Sequence, residues 1–295
     1  MIKLVLSDMD ETLKRANEPL VPKRTLKAIT ALKEAGIDFG PATGRSAYDA
    51  LPFYGFDARY LQTAICGSGK VVYGKGTLVA KRVLSAKTLE RILQVIARYK
   101  DTYLAYFDEG PAEPPLDVSI RPAWMIFGVT QAQVDYINAH YDSFTAAQGP
   151  NTVPHDKDFI SVGILAPQDQ LAREAMFDDV LTQIPEIDLV SPYIGWYDVN
   201  PKGFSKVDGF KILLEYLNLA PNEVIFCGDS GNDLTLLELS PHSFCVGNGS
   251  DEAKALATYT LNGTVDEEIV ARLMEALVAD GGDISGPHVQ ALIER

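Results

Sequence analysis

Ile2-Lys3-Leu4-Val5-Leu6-Ser7-Asp8-Met9-Asp10-Glu11-Thr12-Leu13 is the stretch that decides the fold. Its first six residues are almost wholly apolar, rich in branched side chains and interrupted only by Lys3, the pattern of a strand buried on both faces of a parallel sheet. Two carboxylates, Asp8 and Asp10, follow at once. In an open α/β sheet, ligands bind outside the carboxyl ends of the strands, so chemistry is expected here. Taken alone, an Asp-x-Asp pair is an ordinary solvated turn.

Outward from that strand the pattern turns helical at Pro22, with Leu26, Ile29 and Leu32 on one stripe and Gly36 as the stop. Ile37 to Gly40 is a second strand, ending at Pro41-Ala42-Thr43-Gly44-Arg45. The same rhythm returns late in the chain. Phe210 to Leu217 reads as a helix, Glu223 to Cys227 as a strand, Asp233 to Leu239 as a helix and Ser243 to Val246 as a strand. Asp266 to Val278 closes the series as an amphipathic helix with Ile269, Val270, Leu273 and Leu277 on one face. The middle differs: a hairpin of Val71 to Tyr73 and Thr77 to Lys81, then a helix from Ala86 to Tyr99 and a Pro-rich stretch from Gly110 to Pro115. Strands are expected at Trp124 to Val129, Phe159 to Leu165 and Ile194 to Val199, and helices at Gln131 to Tyr141 and Gln168 to Gln183. The expected class is α/β: a doubly wound, Rossmann-like parallel-sheet core from residues 1–82 and 199–295, with a smaller α+β domain, residues 83–198, inserted into it. His288 to Arg295 reads as a surface tail in preference to a short helix.

Composition narrows the function. The 295 residues are 46% hydrophobic and 22% charged, as in ordinary folded chains. Twenty-six Lys and Arg against forty Asp and Glu give a net charge of −14, which repels nucleic-acid backbones and anionic headgroups alike. A nucleic-acid or membrane partner is therefore disfavoured, whereas a small anionic substrate is not, because a metal ion and one or two lysines invert the sign locally. No apolar run approaches the roughly 18 to 20 residues of a membrane span. The first strand meets Asp8 too early for a signal peptide. Cys66, Cys227 and Cys245 are odd in number and widely spaced, which suits a reduced compartment. A cytoplasmic enzyme or binding protein is expected, its oligomeric state unread.

Three further segments end the isolation of Asp8 and Asp10. Thr43-Gly44 follows the second strand, where a hydroxyl and nearby backbone N–H groups can hold phosphate oxygens, although Thr before Gly is also an ordinary capping turn. Lys206 stands just before a late helix, and Gly228-Asp229-Ser230-Gly231-Asn232-Asp233 follows a late strand. In this order the segments resemble the four motifs of the haloacid dehalogenase (HAD) superfamily, and the place and size of the insertion resemble its Cof-type (subfamily IIB) branch. The likeness runs through Val246-Gly247-Asn248-Gly249 and Glu252-Ala253-Lys254-Ala255-Leu256-Ala257.

The resemblance implies a Mg²⁺-dependent phosphatase acting on a small phosphorylated metabolite, most plausibly a sugar phosphate, with the insertion as an α/β cap that sets specificity. It implies Asp8 as the nucleophile that takes the phosphoryl group and Asp10 as the general acid and base. Thr43, Gly44 and Lys206 would bind the phosphate. Asp8, Asp229 and the backbone carbonyl of Asp10 would hold Mg²⁺, supported by Asn232 and Asp233. Oxygen-only ligands and a phosphate substrate favour Mg²⁺ over zinc on their own account.

Two departures from the family's pattern stand out. Glu11 takes the place where Gly is common after the second Asp, and a carboxylate there repels substrate unless it points away. Cys66-Gly67-Ser68-Gly69 takes the place of the branch's Asn-Gly-Ala, and Cys66 reads as a small buried thiol. Lys202 rivals Lys206, but the spacing to the following helix favours Lys206. In the insertion, His155, Asp156, Lys157 and Asp158 read as solvated loop residues, and Trp124 and Trp196 as core. The alternatives are a sugar phosphomutase and a catalytically silent sugar-phosphate-binding or regulatory protein.

Overall fold

Leu4, Val5, Leu6 and Ser7 form β1 (Leu4–Ser7), buried at every position. In the computed structural model, which describes residues 1–140 and 145–294, β1 leads through α1 (Lys23–Glu34) to β2 (Asp38–Pro41). Helix α1 buries Thr25, Ala28, Ile29 and Leu32, while Leu26 is only partly covered. After the short α2 (Ala47–Ala50) come β3 (Ala64–Cys66), β4 (Val71–Gly74) and β5 (Thr77–Lys81), a small antiparallel sheet in that order. The β4–β5 turn, Lys75-Gly76, has φ of 50° and 78°. Two left-handed residues in a two-residue loop match the right-handed twist of the paired strands, and this fixes the hairpin register.

The middle of the chain carries α3 (Ala86–Ile96), β6 (Tyr103–Asp108), β7 (Ala123–Ile126), α4 (Gln131–His140), β8 (Ala146–Gln148), β9 (Val162–Leu165), α5 (Gln170–Gln183), β10 (Ile187–Tyr193) and β11 (Trp196–Pro201). Their six strands make one sheet of order β10-β11-β9-β6-β7-β8, antiparallel except for β7 with β8. Leu89, Ile92 and Ile96 of α3 and Met176 and Val180 of α5 bury with Leu104, Tyr106, Val162 and Ile164 of this sheet. Trp196 is buried and meets Trp124 edge to face with ring centroids 4.8 Å apart. A Cβ on Gly163 would fall 2.0 Å from the Trp196 ring, so glycine is what lets the indole cross the strand. Both tryptophans pack as core, as expected. His155 and Lys157 pair with Glu90 and Asp108.

The return segment adds α6 (Lys206–Leu217), β12 (Val224–Gly228), α7 (Leu234–Leu239), β13 (Ser243–Cys245), α8 (Asp251–Leu256), β14 (Tyr259–Thr260), α9 (Ile269–Ala279) and α10 (Pro287–Gln290). With β1 and β2 its strands complete a five-stranded parallel sheet of order β14-β13-β12-β1-β2. Leu4 and Leu6, alternate residues on one face, cluster with Phe210, Leu213, Phe226, Leu236 and Leu237. Ser7 is level with Pro41 on one side and Cys227 on the other, so Asp8, Ala42-Thr43 and Gly228-Asp229 leave the sheet at one common edge.

By its internal contacts the chain divides into two compact units, Met1–Lys81 with Ala112–Val118 and Ser205–Arg295, and Arg82–Pro111 with Ser119–Phe204. Strand β11 lies wholly in the second unit, and the segment Ala112–Val118, within the inserted stretch of sequence, belongs to the first. There Tyr73 donates to the Ala112 carbonyl at 2.8 Å and Lys81 pairs with Glu113 at 2.7 Å.

Several sequence expectations are corrected. Helix α6 begins at Lys206 instead of Phe210, because Ser205 and Asp208 form a capping box that apolar periodicity does not register. The helix expected from Asp266 is a 3-10 turn, Val265–Glu267, broken by Glu268 at φ 50° before α9 starts. Gly231–Asp233 is likewise a 3-10 turn ahead of α7. Strands β3, β6, β8, β10 and β14 had no counterpart in the sequence reading. Residues 288–294 are not a free tail: Val289 and Leu292 are buried, and Glu294 N–H donates to the Thr260 carbonyl at 2.8 Å. Tyr141, the last residue of one expected helix, and Arg295 lie outside the described residues.

Candidate active site

At that common edge of the parallel sheet, three carboxylates from two loops meet. Asp8 extends β1, its N–H donating to the Cys227 carbonyl at 2.9 Å. Asp229 follows β12, and Asp233 ends the 3-10 turn beyond it. One carboxylate oxygen from each of Asp8, Asp229 and Asp233 lies within 4.8 Å of the other two. A Cβ on Gly228 would fall 2.8 Å from the Asp233 carboxyl carbon, so the glycine that ends β12 makes room for that side chain.

Lys206 enters from the first turn of α6. Its side chain has no exposed area, and Nζ donates to Asp8 Oδ1 and Asp233 Oδ1, both at 2.6 Å. The helix comes this close because of Gly69, whose φ is 98° and whose Cβ would fall 2.2 Å from the Ser205 carbonyl oxygen. Lys202, the rival lysine, is exposed.

Burial pushes the Asp8 carboxyl up to about 8, Asp233 and Asp229 adding to the rise and Lys206 opposing it. Burial and Asp233 raise Asp229 as well, against hydrogen bonds from Ser230 at 2.7 Å and Thr12 at 2.9 Å. Burial alone would lower Lys206, but Asp233 and Asp8 outweigh it and hold the ammonium charged well above its ordinary range.

Asp10 stands outside this cluster. Arg45 Nε donates to its Oδ2 at 2.6 Å and Arg45 Nη2 to its Oδ1 at 3.2 Å, while Lys14 Nζ donates to Oδ1 at 3.0 Å. Burial alone would raise this carboxyl, yet Arg45 and then Lys14 prevail and hold it below the usual carboxylate range. Arg45 also reaches Asp49 Oδ2 at 2.9 Å. Both cations lie over the ring of Phe53, at 4.2 Å for Lys14 and 4.6 Å for Arg45.

Thr43 is buried, and its Oγ1 accepts the Arg45 N–H at 3.1 Å. A Cβ on Gly44 would come 3.2 Å from Asn232 Nδ2 and 3.5 Å from Ser68 Oγ, so the loops after β2, β3 and β12 lie side by side. Gly67, Ser68 and Gly69 run at φ of 59°, 55° and 98°, a left-handed course that lets Ser68 N–H donate to the Thr43 carbonyl at 3.0 Å. Glu11 sits at φ 60°, but its Oε1 accepts the Ala16 N–H at 2.8 Å and its carbonyl accepts Asn248 Nδ2 at 2.7 Å. Its carboxylate is thus turned to the local backbone. Cys66 is fully buried.

Thr12, Lys14, Arg45, Phe53 and Ser68 had no assigned role in the sequence reading. Arg45 and Thr12 sit inside motifs already quoted, two residues beyond Thr43 and Asp10. Nothing in the local pattern marks Lys14 as buried.

Known proteins place the chain in context. The family model described as haloacid dehalogenase-like hydrolase matches residues 5–274. The phosphatase YwpJ of Bacillus subtilis is 24% identical over 302 residues, covering 94% of this chain and 100% of that protein. A solved HAD-superfamily phosphatase from Bacteroides thetaiotaomicron superposes with a TM-score of 0.73 at 22% identity, covering 96% of each chain. A solved HAD subclass IIB sugar phosphatase gives a TM-score of 0.69 at 18% identity, covering 92% of this chain and 98% of that one.

Proposed function

The chain belongs to the haloacid dehalogenase-like hydrolase family, and from that premise we propose a Mg²⁺-dependent phosphatase that hydrolyses a small phosphorylated metabolite through a phosphorylated Asp8. A sugar phosphate is the favoured class, by likeness to the subclass IIB sugar phosphatase. We assign discrimination between substrates to the inserted second unit.

One observation carries this reading: Asp8, Asp229 and Asp233 offer carboxylate oxygens within 4.8 Å of one another. Like charges about 4 Å apart repel by about 4 kcal/mol at an effective dielectric of 20. The single ammonium of Lys206 does not offset three carboxylates, and the donor set is all oxygen, which fits Mg²⁺. Asp8, Asp229 and the main-chain carbonyl of Asp10 would hold the ion, with Asn232 and Asp233 in support. Bound there, it would neutralise the charge that otherwise keeps Asp8 and a phosphate dianion apart.

The protein's own groups then divide the work. Lys206, held by Asp233 at 2.6 Å, and the Thr43-Gly44 turn bind the phosphoryl oxygens. Asp8 attacks phosphorus, forming the Asp8 O–P bond as the P–O bond to the leaving alcohol breaks. Asp10 gives its proton to the departing oxygen, which leaves as the neutral alcohol. It then takes a proton from the water that attacks the phosphorylated Asp8, whose O–P bond breaks to release phosphate. The ionised Asp10 favoured by Arg45 and Lys14 is the form the second half-reaction needs. An arriving phosphate dianion raises its proton affinity for the first.

The test is phosphate release from a panel of phosphorylated metabolites, with Mg²⁺ and with chelator. Turnover should vanish with chelator, return with Mg²⁺ and be lost in Asp8→Asn. Chelator-insensitive turnover, or full activity in Asp8→Asn, overturns the reading. Isomerised sugar phosphate without free phosphate replaces it with a mutase.

A further inference from the structure

Lysine is among the residues least often fully buried, and an ammonium withdrawn from water persists only when paired and saturated with hydrogen bonds. The Lys14 side chain has no exposed area. Its Nζ donates to Asp10 Oδ1 at 3.0 Å, to the Arg15 carbonyl at 2.8 Å and to the Ala16 carbonyl at 3.4 Å. Its fourth neighbour is the Phe53 ring, whose centroid is 4.2 Å away. Two of the three acceptors are main-chain oxygens of the next two residues, so the ammonium is pinned by its own backbone. Asp10 is its one adjustable partner among these.

Arg45 holds the same carboxylate differently. Its side chain is 27% exposed and its fork is divided between Asp10 and Asp49. A guanidinium with a second carboxylate at hand can release Asp10 without being left unpaired. Among the described residues Lys14 has no second carboxylate, so leaving Asp10 would strand a charge in a site closed to water. The two cations are therefore unequal, one enclosed with a single carboxylate and one part-exposed between two.

We propose that Lys14 is a positioning residue, holding Asp10 in place with Phe53 throughout the reaction. This rests on Asp10 as the acid and base of the proposed phosphatase. Lys14 does not touch substrate, so its effect passes through proton transfer to the leaving oxygen. That transfer matters for a poor leaving group such as an alkoxide and little for nitrophenolate.

The experiment compares kcat/KM for glycerol phosphate and p-nitrophenyl phosphate in the wild-type protein, Lys14→Met and Lys14→Gln. Expected is a loss of about 10- to 100-fold on glycerol phosphate against about threefold on p-nitrophenyl phosphate. In an Asp10→Asn background, Lys14→Met should add no further loss. Equal losses on the two substrates, or the same factor lost with and without Asp10, would reduce Lys14 to a structural role and overturn the proposal. Should Lys14→Met not fold, Lys14→Gln is read instead, since its amide still donates to a main-chain carbonyl. Wild-type protein that cleaves neither these two substrates nor any member of the metabolite panel defeats the phosphatase reading alone. Positioning is then decided by a crystal structure of Lys14→Gln, where Asp10 must have left its present pose, and an unmoved Asp10 overturns it.

Discussion

Two clusters of carboxylates and cations, adjacent in sequence only through Asp8 and Asp10, reach opposite balances. Asp10 and Asp49 face Arg45 and Lys14, two negative groups against two positive ones. Among the described residues, Asp8, Asp229 and Asp233 share Lys206 alone. The first is self-sufficient, and its carboxylate Asp10 is held below the ordinary range. The second lacks positive charge, and Asp8 is pushed up to about 8. The same side-chain types thus create a settled anion in one place and a demand for a cation in the other.

The largest expected effect separates activity from stability. Asp8→Asn should cost more than about 10³-fold in turnover. The metal-free variant should nonetheless melt no lower than wild type near neutral pH, because burial already favours the neutral carboxyl there and the amide is neutral too. A lower melting temperature would mean that the Asp8 charge stabilises the site, contrary to the comparison.

Lys206→Met probes the other side of the balance. It leaves Asp8 and Asp233 buried without their ammonium, a loss of about 3–5 kcal/mol in denaturant titrations without metal. Saturating Mg²⁺ should recover part of that loss. Recovery no larger than that of wild type would show that the ion does not serve those carboxylates.

A pH dependence of the proposed Mg²⁺ binding follows from the raised carboxyl of Asp8. Between its unfolded value of 3.8 and its folded value of about 8, the folded metal-free protein retains a proton that the unfolded chain has lost. Its stability therefore falls as pH rises through that window and levels off above it. Mg²⁺ must displace the same proton, so affinity should rise about tenfold per pH unit up to about 8. Calorimetry in buffers of different ionisation enthalpy reads the released proton directly, and a flat profile would break the comparison.

Glu11→Gly should have the smallest effect. Glycine relieves the left-handed backbone at φ 60° but forfeits the exposed bond to Ala16, leaving a net change within about 1 kcal/mol. Activity should stay close to wild type, because the Glu11 carboxylate already faces the backbone. A large gain in kcat would mean that it repels substrate.

These contrasts explain what could be read from the sequence. Asp8, Asp229 and Lys206 announce themselves by following strands or preceding a helix, and the sheet brings such positions to one edge whatever their distance along the chain. Lys14 and Arg45 do not. Their importance comes from burial against Phe53 and from a carboxylate shared between two loops, and neither leaves a periodic trace. The start of α6 was missed for a related reason: Ser205 and Asp208 cap it with polar groups, while the apolar stripe begins only at Phe210. The docking of residues 288–294 buries only two apolar side chains, Val289 and Leu292, too few to set a pattern, and otherwise uses hydrogen bonds, main-chain ones among them.

That docking matters for how the molecule behaves in a crowd. Strand β14 is the outermost strand of the parallel sheet, and an open sheet edge is a template on which another chain can add. Residues 292–294 stand in that place: the Asn262 N–H donates to the Leu292 carbonyl at 2.9 Å, and Leu261 bridges Ile293. The segment works as a selvedge that keeps the sheet from unravelling into its neighbours, so trimming it would show first as clumping at high concentration rather than as lost catalysis.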